Sequence, residues 1–284
     1  MNAPSSILEN GLRRAYISAA STVMALPPER EECPQTTAHV VAVRDLCPAF
    51  RRVTLAAPGL AGLELLGPDE YVGLYLPRPG VPLRMPEPAW DARKALNTLP
   101  EAERPDLRWY TIRAHRPGSG EIDVDVVSTG HEGPGARWIG RVAAGDTVGV
   151  RVQTAPYAAA PDTGHHVLVA DETGLPGLLA IIEEHAAHNR ASHLTVLAEV
   201  PGPEHLHEEV IRAGIEPVFR QDAKPGSAVL PLLDTAIDEP VDFAWVCAEG
   251  GTAAAVKSAL TRRHGMPRRS VFSSGFWRMG RPRP

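Results

Sequence analysis

The pattern of apolar residues along the chain changes near residue 160, and this change limits the folds that the chain can adopt. Before it, short apolar or alternating segments are separated by Pro/Gly turns. Beyond it, short apolar segments alternate with longer helical ones. Glu121–Val127 alternates with a period of two, as a half-buried strand requires. Two periodicities in one chain of 284 residues predict two domains of ordinary size.

The N-terminal part is predicted to form a small antiparallel β-barrel, because it contains six short strand patterns and no long helical one. The stretch from Arg78 to Asp106, rich in Pro and charge, is predicted to be a long surface excursion. Residues 37–157 are assigned to the barrel and residues 1–36 to an N-terminal extension with a short helix around Ile7–Met24. The predicted strands are Thr37–Arg44, Arg51–Ala57, Tyr71–Pro77, Trp109–His115, Glu121–Val127 and Thr147–Val152.

After a linker at Ala158–Gly164, residues 162–284 are predicted to form an α/β domain. Its β-α-β-α order is typical of a parallel sheet with helices on both faces. Ligands of such sheets bind beyond the carboxyl ends of the strands, so this domain is a candidate nucleotide-binding domain. The predicted strands are His166–Ala170, Leu194–Glu199, Glu216–Phe219, Phe243–Ala248 and Ser270–Ser274, and the predicted helices are Leu175–His188, Pro203–Ala213, Ala228–Ala236 and Thr252–His264.

Composition excludes several classes of function. The formal charge is −5, with 29 basic against 34 acidic residues, which argues against a nucleic-acid surface. Cys33, Cys47 and Cys247 are odd in number and widely spaced, which opposes a disulfide framework or a metal–cysteine site and favours the cytoplasm. No apolar run approaches the roughly 18 residues of a membrane span. The start of the chain lacks the apolar core of a signal peptide, and no triplet of ligands with convincing spacing predicts a metal site.

Two motifs carry the chemistry that a flavin dinucleotide requires. Alternate residues of a strand share a face, so Arg108 and Tyr110 point the same way, one suited to a phosphate and the other to a flat ring. Gly133-Pro134-Gly135 precedes a predicted helix at Ala136–Ala143 and offers backbone N–H groups to a pyrophosphate. Each motif alone also fits an ordinary strand or turn. Because the two motifs occur in this order and precede a βαβ pattern, a flavin-binding site is favoured over an ordinary strand and turn.

Together with three later motifs, these residues resemble the siderophore-interacting proteins, FAD-dependent ferric-siderophore reductases related to the ferredoxin–NADP reductases. The later motifs are Asp171–Pro176, Trp245–Glu249 and Gly275–Gly280, which are similar to D-E-T-x-L-P, W-x-A-G-E and Y-W-R-x-G. The resemblance spans about residues 37 to 280. It implies a two-domain, ferredoxin–NADP reductase-like fold with an FAD-binding barrel and an NAD(P)H-binding α/β domain. The implied substrate is a small molecule, a ferric siderophore or a pathway metabolite.

The resemblance also implies a set of site residues. Arg108 would bind the FAD pyrophosphate, Tyr110 would pack on the isoalloxazine and Thr111 would lie near its N5. The implied cofactor-binding residues are Arg108, Tyr110, Thr111, Ile112, Arg113, Val127, Thr129, Gly133, Pro134, Gly135, Ala136, Trp138 and Thr173. The implied catalytic residues are Asp171, Glu172 and Thr173, and the residues implied to contact substrate, NADH or NADPH are Glu249, Phe276, Trp277 and Arg278.

The chain departs from the family pattern at Ser128-Thr129, at Gln153–Pro156, and at Ala170 and Ala248, where glycine is usual. A methyl group at either alanine is expected to narrow the nicotinamide approach. Glu199 ends the second strand of the α/β domain, where an acid favours NADH over NADPH. Two alternatives stay open: a biosynthetic flavoprotein with an organic substrate, for which the flavin is reactive or only structural, and a siderophore-binding module without cofactor. The oligomeric state also stays open.

Overall fold

The computed structural model describes residues 17–30, 33–130 and 132–280. Its N-terminal sheet is antiparallel throughout and surrounds one apolar core that includes Val53, Leu74 and Val150. The strands are β1 (Gln35–Cys47), β2 (Phe50–Ala56), β3 (Tyr71–Leu76), β4 (Asp106–Thr111), β5 (Ala114–Arg116), β6 (Glu121–Val127) and β7 (Thr147–Val152). They lie in the order β4-β3-β7-β1-β2-β6-β5. The predicted antiparallel domain is confirmed.

One predicted strand of this domain is wrong, because Trp109–His115 is divided into β4 and β5. The chain turns at Ile112 and Arg113, whose N–H groups bond on opposite sides. Ile112 N donates to Glu70 O at 2.7 Å, ahead of β3, while Arg113 N donates to Asp123 O at 2.8 Å, in β6. Since β4 and β5 are the two edges of the sheet, this corner carries the chain from one edge to the other.

The Pro-rich excursion packs on the outer face of the barrel and carries a short helix, α1 (Ala92–Leu96). Its apolar residues cover Tyr75 and Leu107, and the buried Arg151 of β7 donates to the Ala89 carbonyl at 2.6 Å. Asp91 caps α1 by accepting from two backbone N–H groups. The excursion is therefore anchored, and it holds α1 in a fixed place beside β4.

A second short helix, α2 (Pro134–Ile139), follows β6. It begins two residues before the predicted Ala136 and ends at Ile139, so the predicted helix at Ala136–Ala143 is displaced. Pro134 occupies the first turn, where its missing N–H group costs nothing. The turn and the helix lie against β4 and β6.

The α/β domain contains a fully parallel sheet in the order β10-β9-β8-β11-β12. Its strands are β8 (His165–Asp171), β9 (His193–Val200), β10 (Val218–Phe219), β11 (Phe243–Glu249) and β12 (Val271–Trp277). Its α-helices are α3 (Leu175–His188), α4 (Glu208–Arg212), α5 (Leu233–Ala236) and α6 (Gly250–Arg262). Alternate residues of β8 face α3 and α4 on one side and α5 and α6 on the other. This confirms the predicted parallel sheet with helices on both faces.

Two predicted helices of this domain are much shorter than expected. Only Glu208–Arg212 of Pro203–Ala213 is α-helical, because the chain is extended at Leu206 and His207, and the His207 ring packs on Phe50 of the barrel at 5.6 Å between centroids. Only Leu233–Ala236 of Ala228–Ala236 is α-helical. Two N–H groups at the start of that segment bond to a carboxylate of β9. Tertiary contacts override the helical pattern in both cases.

A buried carboxylate joins the two domains. Asp69, ahead of β3, accepts from the indole N–H of Trp245 in β11 at 2.7 Å and from the backbone N–H of Tyr157 at 2.9 Å. Burial raises the pKa of Asp69 to about 7, although these two donors stabilise its ionised form. Trp245 and Tyr157 are themselves buried in the apolar cluster between the domains.

An ion-pair network joins the domains at a second place. Arg52 of β2 bonds to Asp125 of β6 and to Glu209 of α4, with four N–O distances between 2.6 and 2.9 Å. Arg113 binds the same Glu209 at 2.8 Å and also Glu183 of α3. The pKa of Glu209 falls to about 2, because the stabilisation by the two arginines outweighs the effect of burial. The barrel and the α/β domain are thereby held in one relative orientation.

Part of the N-terminal extension crosses this junction. Residues 17–21 are helical, and Ala25 donates its backbone N–H to the Val271 carbonyl of β12 at 3.1 Å. Arg30 then binds Glu70 of the barrel at 2.6 Å. Residues 7–16 of the predicted helix lie outside the described residues. Within the described part of the chain, no helix has both the length and the apolar character that a membrane crossing requires.

The carboxyl of Asp69 is expected to make stability depend on pH. Its raised pKa means that the folded chain holds a proton that the unfolded chain releases between about pH 4 and 7. Its contribution to the free energy of unfolding therefore falls as the pH rises through that window, by up to about 1.4 kcal/mol per pH unit. Urea unfolding of the wild type and of Asp69→Asn at several pH values measures this.

The difference in stability between wild type and Asp69→Asn should shrink as the pH rises from 4 to 7. Asp222→Asn, at an exposed position, is the matched control and should show no such trend. A difference that stays constant with pH for Asp69→Asn would contradict the role assigned to this carboxyl.

Candidate functional site

A cleft of about 870 Å³ separates the barrel from the carboxyl edge of the parallel sheet. The barrel contributes β4, the end of β6, α1 and the turn around α2. The α/β domain contributes the β8–α3 turn, the segment after β10 and the chain at the end of β12. Since the switch in strand order of such a sheet lies between β8 and β11, the cleft opens where ligands of this fold bind.

The exposed face of β4 forms the floor of the cleft. Arg108 and Tyr110 both line it, as the strand alternation predicts, and Thr111 lies at its end. Gly135 packs directly on this face, since a Cβ placed there would lie 2.3 Å from Tyr110 Oη. Only glycine therefore allows the turn to approach β4 so closely. Burial raises the pKa of Tyr110, so its hydroxyl keeps its proton.

Three arginines converge at the barrel end of the cleft. Arg108 of β4, Arg93 of α1 and Arg137 of α2 all line it. Burial lowers the pKa of Arg108, and the charges of Arg93 and Arg137 lower it further. Within the described residues none of the three forms an ion pair with a carboxylate; Arg108 and Arg137 bond only to backbone carbonyls, at 2.6 and 2.7 Å. Such a cluster is suited to a multiply charged anion.

Several sequence-predicted cofactor residues lie behind the cleft surface. The side chains of Ile112 and Trp138 belong to the barrel core, and Arg113 belongs to the ion pairs between the domains. Thr129 is exposed beside the cleft, and its neighbour Gly130 lines it. The predicted residues that do line the cleft are Arg108, Tyr110, Thr111, Val127, Gly133, Pro134, Gly135, Ala136, Thr173, Phe276, Trp277 and Arg278.

Asp171, at the end of β8, is buried rather than open to the cleft, with 2% of its surface exposed. Its Oδ1 accepts from the backbone N–H and the hydroxyl of Thr173, at 2.9 and 2.6 Å. Its Oδ2 accepts from the backbone N–H of Glu249 at 2.6 Å and from the Trp277 indole N–H at 2.7 Å. Burial and the nearby Glu172 raise the pKa of Asp171 to about 7.

Glu172 is buried as well, and its carboxylate forms two bonds of 2.7 Å to the guanidinium of Arg220. Arg220, just after β10, lines the cleft together with Gln221. Gln221 has a φ of 51°, an uncommon conformation for a side-chain-bearing residue, and such strain is concentrated at functional sites. Of the three residues predicted to be catalytic, only Thr173 reaches the cleft surface.

Glu249 caps α6, because its carboxylate accepts from the N–H groups of Gly251 and Thr252 at 2.6 and 3.0 Å. It lies beneath the cleft-lining residues Phe276–Arg278 and is not itself a lining residue. Glu199 is likewise engaged by the N–H groups of Gly226, Ala228 and Val229, at 2.7 to 2.9 Å. These bonds hold a loop in place, so the carboxylate is engaged by the chain itself, and the preference for NADH expected from Glu199 stays a prediction.

Ala170 and Ala248, which stand where the family usually has glycine, do not have the effect on the cleft that was expected from their methyl groups. Ala170 and Ala248 are each about 1% exposed and belong to the interior rather than the cleft wall. The methyl group of Ala170 lies in the apolar cluster with α3. The expected narrowing of the nicotinamide approach by these methyl groups is therefore not found.

Sequence reasoning missed three arginines that line the cleft: Arg93, Arg137 and Arg220. Arg137 lies within the predicted turn-and-helix segment, but Arg93 and Arg220 belong to no motif. Arg93 reaches the cleft only because the excursion is anchored on the barrel, and Arg220 only because β10 adds to the edge of the sheet. No spacing along the chain indicates either contact.

The residues of the cleft fit FAD, the cofactor that the resemblance implies. The arginine cluster, which has no carboxylate partner among the described residues, suits a pyrophosphate, and the aromatic side chains Tyr110 and Trp277 suit a flat ring system. The volume falls in the usual range for cofactor sites. The cleft therefore has an anionic-ligand end and an aromatic end.

The packing of Gly135 on Tyr110 can be tested without a ligand. Gly135→Ala should lower the free energy of unfolding by roughly 1–3 kcal/mol, because the added methyl overlaps the Tyr110 hydroxyl. In a Tyr110→Phe background the nearest remaining ring atom lies 3.6 Å away, an ordinary contact, so the same substitution should cost little. Urea unfolding of the two single variants and the double variant measures this. An equal loss in both backgrounds would contradict the close approach.

Comparison with known families matches both domains. The model of the siderophore-interacting FAD-binding domain matches residues 39–157, and that of the siderophore-interacting protein matches residues 163–280. The chain is 24% identical over 239 residues to the ferric vibriobactin reductase ViuB of Vibrio cholerae, covering 81% of this chain and 84% of that protein. It spans about half the length of mycobacterial relatives to which it is 31% identical over 150 residues.

Solved structures support the same assignment. A siderophore utilization protein from T. fusca has a TM-score of 0.73 and 28% identity, covering 90% of this chain and 97% of that chain. A ferredoxin NADP+ reductase from Neisseria gonorrhoeae has a TM-score of 0.61 at 14% identity, covering 86% and 99%, and shares the fold. With both domains matched in order, the chain belongs to the siderophore-interacting protein family and has the two-domain fold of the ferredoxin–NADP reductases.

Proposed function

We propose that this chain is an FAD-dependent oxidoreductase that transfers electrons from NADH or NADPH to a ferric chelate of the siderophore type, in the cytoplasm. The observation that carries the proposal is the cleft itself. It brings the arginine cluster of the barrel together with two aromatic residues, Tyr110 of the barrel and Trp277 of the α/β domain. The ferric reductase activity named for the Vibrio relative supports the choice of substrate.

The barrel side would hold FAD. Arg108, Arg93 and Arg137 would bind the pyrophosphate, whose negative charge relieves the repulsion among the three guanidinium groups. Tyr110 would pack against the isoalloxazine, and Thr111 would bond near its reactive nitrogen. Gly133 has open space where a side chain would lie, so the backbone of the turn would stay accessible to the phosphates.

The α/β side would hold the nicotinamide and exclude water from the reacting edge. Thr173 lines the cleft, and its hydroxyl is fixed by the bond that it donates to Asp171. Phe276 and Trp277 supply apolar surface beside it, and Arg278 supplies a positive charge at the mouth. Bound FAD would supply the exchange between a two-electron donor and a one-electron acceptor.

Reduction alone explains release of the iron. The chain need not ligate the metal, because ferrous iron binds hard oxygen donors more weakly than ferric iron does. It needs an accessible flavin edge and positive charge for an anionic chelate. Arg278 provides an exposed cationic group at the cleft, whereas the Arg220 guanidinium is buried and paired with Glu172.

The phosphate role of Arg93 gives a direct test of the cofactor site. Arg93→Gln should weaken FAD binding by about tenfold or more, because a charge-assisted contact is lost. Arg84→Gln is the matched control, since Arg84 lies in the same excursion but pairs with Glu103 and does not line the cleft. Titration of FAD into the apoprotein measures both constants. Equal affinity for the two variants would contradict the role of Arg93.

The reaction itself can be followed as ferrous iron formed from ferric citrate and from a ferric catecholate. We expect NADH or NADPH to support formation of two ferrous ions per nucleotide oxidised, and no activity without FAD. Reduction of the flavin without ferrous product would favour the alternative of an organic substrate. A wild-type protein that takes up no FAD would favour the siderophore-binding module.

A further inference from the structure

The buried carboxylate of Asp171 collects bonds from three separate parts of the α/β domain. Four donors point at its two oxygens, from Thr173, Glu249 and Trp277, at 2.6 to 2.9 Å. Only one of these parts, the indole of Trp277, is a large side chain that lines the cleft. Asp171 itself does not reach the cleft surface.

We propose that Asp171 is a positioning residue that fixes the indole of Trp277 in the cleft, where that ring contacts the flavin. This inference rests on the proposed function, because it takes FAD as the occupant of the cleft. It replaces the direct catalytic role that the sequence motif implied for Asp171. The carboxylate acts through the indole N–H, and the indole acts on the cofactor.

The backbone at Trp277 supports a dedicated orientation. β12 pairs with β11 in regular register up to Ala248 and Gly275, but the next pair is Glu249 with Trp277. Phe276 is therefore an extra residue, a β-bulge, and bulges beside active sites turn a side chain into a new direction. Gly275 approaches the start of α6 so closely that a Cβ there would lie 2.8 Å from the Cα of Gly250. The bulge is thus held in place from behind.

The chemistry of the contact requires a carboxylate. Four donors need an acceptor at every position, and an ionised aspartate accepts at both oxygens. An asparagine would place its NH2 group against either the Trp277 and Glu249 donors or the Thr173 donors. Asp171→Asn therefore keeps the size of the side chain while removing half of its acceptor capacity.

A purely structural role for Asp171 predicts a different pattern of effects. If the carboxylate only stabilised the domain, its loss would weaken FAD binding equally with or without an indole at position 277. If it acts through Trp277, the two substitutions should not be additive. Trp277→Phe keeps an aromatic ring but removes the N–H donor, so it isolates the contact.

The experiment is a double-mutant cycle on FAD binding with Asp171→Asn, Trp277→Phe and the double variant. We expect each single variant to weaken FAD binding by about tenfold, and the double variant to be within about threefold of either. Asp242→Asn is the matched control, since that carboxylate accepts a backbone N–H at the opposite end of the sheet. It should leave FAD affinity unchanged. A hundredfold loss in the double variant would overturn the proposal.

A second measurement follows the indole in the apoprotein. The emission of Trp277 is obtained as the difference between the fluorescence of the wild type and that of Trp277→Phe. Asp171→Asn should shift the wavelength of this emission. Unchanged emission would overturn the positioning role, even if FAD affinity fell. If Asp171→Asn does not fold, Trp277→Phe alone tests the proposal. An FAD affinity of Trp277→Phe equal to that of the wild type would show that the bond from the indole N–H to Asp171 does not affect cofactor binding. Wild-type protein that takes up no FAD would overturn the proposed function, while the emission would still test the contact.

Discussion

The relative orientation of the two domains depends on the hydrogen bonds that the buried carboxyl of Asp69 accepts. Its carboxylate lies in the apolar cluster between the domains and accepts hydrogen bonds from Trp245 in β11 of the parallel sheet and from Tyr157 at the end of the barrel. A carboxylate in such a place is costly unless its oxygens are bonded, so the two domains are held where both donors reach it. The ion pairs of Arg52 and Arg113 add a second point of attachment. Two attachments define an orientation, and that orientation defines the cleft.

The lining of the cleft follows from which segments each domain turns toward it. The barrel directs β4 and the Gly135 turn toward it, while the parallel sheet directs the carboxyl ends of its strands. Three of those ends carry buried acids, but each acid is already engaged by the chain itself: Asp171 by four donors, Glu199 by a loop and Glu249 by α6. The acids shape the α/β wall of the cleft, and the side chains exposed on it are Thr173, Trp277 and the arginines.

Local patterns in the sequence predicted most of the framework. Period-two alternation located β6, the long apolar helix α3 was predicted with its observed ends, and strand alternation placed Arg108 and Tyr110 on one face. What the sequence could not predict depends on contacts between distant segments. The break between β4 and β5 needs the partners Glu70 and Asp123. The site role of Arg93 needs the excursion to be anchored, and the buried state of Asp171 needs Trp277, more than a hundred residues away in the chain.

We propose that this cleft holds a redox-active flavin that a nicotinamide nucleotide can reduce. The most direct test is to mix the FAD-loaded protein with NADH, and separately with NADPH, in the absence of oxygen, and to follow the visible absorption of the flavin. We expect at least one nucleotide to bleach this band and added ferric chelate to restore it. A flavin that stays oxidised with both nucleotides would contradict this proposal.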